Sequence, residues 1–410
     1  MGKKNAGWDS RKGGEESKTD RDSETKSGSF MHRTQRPTLE TSESSKDSTL
    51  QTKEISPEAD AVAAADGLKT SSRRDVPEDD EDGHLNYHAG LLMKQRYQVV
   101  STLGAGAFGK VVECIDRQTD ERVAVKIGKK LESFCEVARS EISVLEEMNS
   151  LDDDNRFACV RMLDWFQHEG HVCIVLELLG RSTFDFLPFS VQQIRLVAFQ
   201  VFRAVSFLHR NKVTHTDLKP ENILFVRSDC DPDRNHQTKS PSSWSVKVVD
   251  FGSATFDHQH HQSLVSTRHY RAPEVILGLG WDQSCDVWSL GCVLMEYYLG
   301  RTLFPSHDSR EHLAMMEKVL GPVPPGLLKR ARNQHLVKNW DGPSSSDKLI
   351  RSHCQPLKTY MRTSGEDERQ LFELLAVMLE YDVSRRITLE EALWHRFFNP
   401  LRNKRSSANS

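Results

Sequence analysis

Hydrophobic and polar positions divide the chain into stretches of different rhythm. Residues 1–88 show no apolar period, because Ser, Thr, Lys, Arg, Asp and Glu dominate and aromatics are few. Such a segment cannot offset its ordering entropy by burial, so it is expected to be a disordered polar tail. It closes with the acidic run Asp79-Asp80-Glu81-Asp82, expected to be a solvated linker. From Tyr97 three short β-rich runs follow, at 97–103, 110–116 and 122–128, joined by Gly-rich or polar turns, and they predict an antiparallel meander. Phe134, Ala138, Glu141, Leu145 and Met148 then recur at steps of three and four, the spacing of one helix face. Two more apolar runs, 160–166 and 172–178, complete a predicted five-stranded sheet interrupted by one helix.

The second half changes period. Ile194, Val197, Ala198, Val201, Ala204, Val205 and Leu208 form a sustained amphipathic helix, and later segments repeat its pattern, so this half is expected to be mainly helical. The polar stretch 227–245 is far longer than the usual loop of about 4 to 6 residues and reads as a surface insertion.

Composition narrows the class without naming a function. The chain has 410 residues, 37% of them hydrophobic and 28% charged, with a net charge of −4, so no basic excess announces nucleic acid as a partner. Its cysteines are scattered singly from Cys114 to Cys354 with no C-x-x-C pair, which fits a reducing compartment. No run approaches about 18 apolar residues and the amino terminus lacks the apolar core of a secretory signal, so neither a membrane span nor export is expected. Met1-Gly2 resembles a myristoylation start, but Ala6 stands where that signal needs Ser or Thr.

Chemistry enters with the glycines. Gly104-Ala105-Gly106-Ala107-Phe108-Gly109 lies between the first two strands, where glycines let backbone amides approach phosphate oxygens. The motif leads into a strand, whereas a dinucleotide fold would follow it with a helix. On the third strand Lys126 faces away from Val123, Val125 and Ile127. Glu141 lies on the apolar stripe of the next helix, where an unpaired carboxylate is costly to bury, and Lys126 is its natural partner. His215-Thr216-Asp217-Leu218-Lys219-Pro220-Glu221-Asn222 follows the long helix, and Asp250-Phe251-Gly252 follows a short apolar strand at 246–249.

In this order the motifs resemble those of protein kinases, and the resemblance implies an α+β bilobal fold. A small antiparallel N-lobe with one helix would span 97–177, a larger mainly helical C-lobe 180–398, and a short basic tail 399–410. It implies ATP and Mg2+ as cofactors. Leu103, Gly104, Ala105, Gly106, Ala107, Phe108, Gly109, Lys110 and Val111 would cover the nucleotide, with Glu177 and Leu179 at the hinge. Lys126, held by Glu141, would grip the α- and β-phosphates. Asp217 would accept or orient the substrate hydroxyl, Lys219 would neutralise the transferring phosphoryl group, and Asn222 and Asp250 would offer magnesium its oxygen ligands. Glu274, in Ala272-Pro273-Glu274, is expected to pair with Arg386, while Asp286 looks architectural.

One family fits more closely. Glu311-His312-Leu313-Ala314-Met315-Met316-Glu317-Lys318 resembles the motif that names the LAMMER, or Clk-type, dual-specificity kinases of the CMGC group, with Lys318 where arginine is usual. Thr214-His215-Thr216-Asp217 and Ser266-Thr267-Arg268-His269-Tyr270-Arg271 resemble the same family, over roughly residues 81–398. The shared face of Leu313, Met316 and Leu320 gives the motif itself a packing role. The resemblance implies Ser/Thr phosphorylation with tyrosine autophosphorylation, Arg/Ser-rich splicing factors as protein substrates, control of pre-mRNA splicing and a monomeric nuclear enzyme, with the cytoplasm as the alternative. Three positions depart from the family: Leu176 replaces the usual gatekeeper phenylalanine, Leu187 runs directly into Pro188, and the tail lacks long Arg-Ser runs. A Pro-directed kinase differs only in substrate. A pseudokinase scaffold is disfavoured because Lys126, Glu141, Asp217, Asn222 and Asp250 are all present.

Overall fold

Alternating side chains build the amino-terminal sheet. Strands β1 (Leu92–Met93), β2 (Tyr97–Gly106), β3 (Gly109–Asp116), β4 (Glu121–Gly128), β5 (Met162–His168) and β6 (His171–Glu177) pair antiparallel in the order β1-β2-β3-β4-β6-β5. The sheet has six strands where the sequence predicted five, because β1, at two residues, is too short to show a period. Helix α1 (Glu132–Leu151) buries Ala138, Glu141, Leu145 and Met148 as expected and Ile142 besides, while Phe134 is only partly buried and meets Phe108 edge-on. The computed structural model describes residues 79–80, 82–106, 108–226, 244–340, 342 and 348–402.

The polar tail ends earlier than its composition suggested. Residues 1–78 and Glu81 lie outside the described part, but most of 79–88 forms part of the N-lobe. Leu85 is 2% exposed and joins Met93, Tyr97, Val123, Val125 and Ile127 in an apolar cluster on the outer face of the sheet. Asp79 reaches Nε2 of the fully buried His171 at 3.0 Å, and the Nδ1 of that ring lies 2.8 Å from the Gly128 carbonyl. Asp80 meets Lys110 at 3.2 Å, and the Gly83 carbonyl accepts the Lys130 amide at 2.9 Å. Asp79 and Asp80 are therefore docked on the N-lobe where a solvated linker was expected, while Asp82 is exposed. One leucine among polar residues, with ion partners far along the chain, produces no periodic signal.

The second lobe is mainly helical. Helix α2 (Val191–Arg210) starts at a capping box between Ser190 and Gln193 and buries all seven residues of its expected stripe. Two small ladders follow, β7 (Val213–Thr214) with β10 (Thr255–Phe256), and β8 (Ile223–Phe225) with β9 (Val246–Val248). They hold the loop 215–222 beside the segment that starts at Asp250. After the short α3 (Pro273–Ile276), α4 (Ser284–Leu299) is buried on nearly every side. Arg386 clasps Glu274 through two contacts of 2.6 and 2.9 Å, both side chains buried, as the need for a partner predicted.

Helix α5 (Ser309–Leu320) carries the LAMMER-type motif, with Leu313, Met315 and Met316 fully buried, so the motif is packing. Burial lowers the pKa of His312 in that motif to about 3, leaving the ring neutral. Of the expected insertion at 227–245 only Trp244 and Ser245 are described, Trp244 meeting Phe189 and Phe225 edge-on. Of the tail at 399–410, residues 399–402 form a helical turn and the rest lies outside the described residues.

Candidate active site

The cleft between sheet and helical lobe holds a cavity of about 470 Å³. Leu103, Gly104, Ala105, Gly106, Phe108, Gly109 and Val111 line it from β2 and β3, Lys126 from β4, Glu177 and Leu179 from the hinge, and Asn222 and Asp250 from below. Lys110 does not: strand alternation turns it outward, over the Tyr87 ring and onto Asp80. Ala107 lies outside the described residues. Glycine is required at 109, since a Cβ there would lie 2.1 Å from the Ile127 carbonyl oxygen, whereas at Gly104 and Gly106 a Cβ would meet nothing within 4 Å. Their bare backbone therefore leaves room above the cavity.

Lys126 stands at the centre. Its ammonium donates to both Glu141 oxygens at 2.7 and 2.8 Å and to Asp250 Oδ1 at 2.8 Å. Burial opposes its charge, yet Glu141 and Asp250 overcome that penalty and hold its pKa above the ordinary lysine value. Burial raises the carboxyl of Glu141, with the Asp250 charge adding to it and Lys126 opposing it. Because both of its oxygens receive the ammonium, the pair is ionised. For Asp250 burial again works toward a higher pKa, but Lys126 outweighs it and the net direction is down.

The catalytic loop is shaped from underneath. Asp286, at the start of α4 and fully buried, accepts the amides of His215 and Thr216 at 2.8 and 2.9 Å and contacts His209 Nε2 at 2.9 Å. Asp217 emerges from that support with Lys219 at 2.7 Å on one oxygen, and on the other the Thr267 hydroxyl at 2.6 Å and the Thr267 amide at 3.0 Å. Burial would raise the carboxyl of Asp217, but the bonds from Lys219 and Thr267 bring it below the usual range, so it stays an anion able to accept a proton. Asn222 Nδ2 donates to the Asp217 carbonyl at 2.9 Å. That leaves the Asn222 side-chain oxygen Oδ1 and the second Asp250 oxygen without a hydrogen bond among the described residues, a donor set that suits a hard cation such as magnesium.

Sequence reasoning missed part of the site. Thr267 grips Asp217 and Asp286 holds the loop, yet neither was counted among the site residues. Ala124, Val160, Leu224 and Val249 form apolar walls of the cavity along with the gatekeeper Leu176. Only Ala124 could have been inferred, from its alternation with Lys126.

Residues 97–398 match the protein kinase domain family. Dual specificity protein kinase CLK1 of Mus musculus is 54% identical over 79% of this chain and 70% of its own, and CLK4 of Homo sapiens 55% over 80% and 71%. The chain is a protein kinase of the LAMMER, or Clk-type, family. Serine/threonine-protein kinase Doa of Drosophila melanogaster is 49% identical over 80% of this chain and 42% of its own. The crystal structure of the PF14_0431 kinase domain superposes with a TM-score of 0.69 at 32% identity, covering 78% of this chain and all of that one. In this kinase Lys126, Glu141, Asn222 and Asp250 line one cavity, and Asp217 lines the adjoining one.

Proposed function

We propose that this kinase transfers the γ-phosphoryl group of ATP, with Mg2+, to serine and threonine hydroxyls of arginine-flanked protein segments, and to tyrosine in its own chain. Arg/Ser-rich splicing factors are the substrate class, control of pre-mRNA splicing the role, the nucleus the setting and a monomer the working form. One observation carries the catalytic reading: Asp217, kept anionic, lines with Lys219 the cavity that adjoins the one lined by Lys126, Asn222 and Asp250, and Asn222 joins the two by its 2.9 Å bond to the Asp217 carbonyl. Asp217 accepts the proton of the incoming hydroxyl, and Lys219, bonded to it, offers positive charge to the moving phosphoryl group. Lys126 grips the nucleotide phosphates. Magnesium, when bound, neutralises phosphate charge beside Asn222 and Asp250. No helix among the described residues is long and apolar enough to cross a membrane.

The substrate class rests on Glu221. It lines the cleft beside Asn222, is exposed, and has no ion-pair partner among the described residues, so its carboxylate is open to a flanking guanidinium. The test presents arginine-flanked and alanine-flanked serine peptides to wild-type, Asp217→Asn and Glu221→Gln proteins. Asp217→Asn is expected to lower turnover by about 100-fold or more while still binding ATP. Glu221→Gln is expected to cut the preference for arginine about tenfold. Near wild-type turnover in Asp217→Asn would sink the catalytic assignment, and equal wild-type rates on both peptides would remove the splicing-factor reading.

A further inference from the structure

We propose that Lys247 is a positioning residue for the nucleotide, fixing the hinge against the strand that delivers Asp250. The inference rests on the nucleotide reading of the cleft. Lys247 is the middle residue of β9, between the buried Val246 and Val248, and lies three positions before Asp250. Alternation sends its side chain the other way from those valines, yet it remains only 9% exposed. Its ammonium lies 2.5 Å from Glu177 Oε1 and 2.9 Å from Asn155 Oδ1.

That same Glu177 oxygen accepts the Arg161 amide at 2.7 Å, and the Arg161 guanidinium donates to the Asp152 carbonyl at 2.8 Å. Asp152 in turn receives the amides of Arg156 and Phe157 at 2.8 and 2.9 Å. Backbone bonds complete the join, from Val160 to the Val248 carbonyl at 2.9 Å and from Val248 to the Ala158 carbonyl at 2.7 Å. The hinge, the loop after α1 and the strand before Asp250 thus meet at one carboxylate. A charge this buried is tolerated only because it is paired, so removing either partner leaves the other uncompensated.

A stabilising pair could sit anywhere, but this one joins two edges of the nucleotide cavity. At one end is Glu177, which lines the cavity together with Leu179, and at the other are Val249 and Asp250, which also line it and stand two and three residues after Lys247. The Asp217 carboxylate is held by Lys219 and Thr267, neither of which touches Glu177 or Lys247, and its loop meets the Lys247 segment through bonds at Val249 that do not involve the pair, the Val249 amide to the Asn222 carbonyl at 3.0 Å and His215 Nε2 3.0 Å from the Val249 carbonyl. Breaking the pair should therefore let hinge and Asp250 drift apart while leaving the hydroxyl-activating carboxylate in place, which weakens ATP binding and spares the chemical step.

The experiment compares wild type, Lys247→Met, Lys247→Arg and Glu177→Gln in the full chain, measuring ATP dissociation constants, peptide KM, kcat at saturating ATP and melting temperature. Lys247→Met is expected to weaken ATP binding about tenfold, with kcat and peptide KM within about twofold of wild type. Lys247→Arg, which keeps the charge, should recover most of that affinity. Glu177→Gln keeps an acceptor for both donors and tells charge from hydrogen bonding should Lys247→Met not fold; it is expected to weaken ATP binding as well. Unchanged ATP affinity in folded Lys247→Met, or in Glu177→Gln where Lys247→Met does not fold, would overturn the proposal. So would an affinity loss no larger for methionine than for arginine. Wild-type protein that fails to bind ATP would overturn the nucleotide reading, and this inference with it.

Discussion

Thr216 shows how far a single side chain can replace a regulatory contact. The common H-R-D catalytic loop has an arginine there, which grips an activation-loop phosphate. Here Thr216 is fully buried at φ 70°, its amide is held by Asp286, and its hydroxyl donates to the Ser253 carbonyl at 2.9 Å. The catalytic loop is thus tied to the segment after Asp250 by a bond that needs no added phosphate, and a phosphate on that segment would lack its usual arginine partner. Phosphatase-treated enzyme should retain most of its activity on a peptide substrate, and Thr216→Ala should lower kcat about tenfold through loss of one buried hydrogen bond. Near-zero activity until the loop is phosphorylated would refute this. Asp217, Asn222 and Asp250 were legible because each lies in a contiguous motif. Thr267 and Asp286 reach the same loop from 50 and 70 residues away, a proximity that only folding creates.

Elements were legible where their period ran long enough to count. Five strands and the faces of α1 and α2 follow from alternation and the three-four spacing, and alternation along β3 also turns Lys110 outward, whereas β1, at two residues, carries no period to read. What pins the ends of those strands is also tertiary. Arg96, just before β2, makes a bidentate clasp on Asp116 at the end of β3, at 2.6 and 2.7 Å. The Arg96 hydrogen bonds lower the Asp116 pKa to about 2. A carboxyl depressed on folding contributes stability that is fully present above its unfolded pKa and is lost as pH falls through its folded one. Asp116→Asn should therefore cost about 2 kcal/mol at neutral pH, a difference that shrinks as pH falls from about 4 to about 2. Urea unfolding of both proteins at pH 7 and pH 3 checks it. A gap that stays constant across that range would show that the clasp acts through shape and not charge.

For the whole molecule, the order of motifs made the bilobal architecture readable, while the boundary of the N-lobe was not, because composition averages over a segment and misses one docked leucine. Residues 79–88 supply Leu85 to the outer cluster, Asp79 to His171 and Asp80 to Lys110, and the Tyr87 hydroxyl meets Thr102 Oγ1 at 2.7 Å. Two truncations separate tail from domain: one chain beginning at residue 79, the other at residue 89. The shorter chain exposes the cluster that Leu85 covers, which costs about 2 kcal/mol. It also leaves a nitrogen of the buried His171 ring without its acceptor, roughly 1 to 3 kcal/mol more. At about 2 to 4 °C per kcal/mol for a domain of this order of size, its melting temperature should fall by roughly 6 °C or more relative to the chain that begins at 79. Leu85→Ala in the full chain should reproduce part of that fall without removing any charge. If the two truncations melt at the same temperature, the segment rests on the N-lobe without stabilising it, and the domain begins at β1.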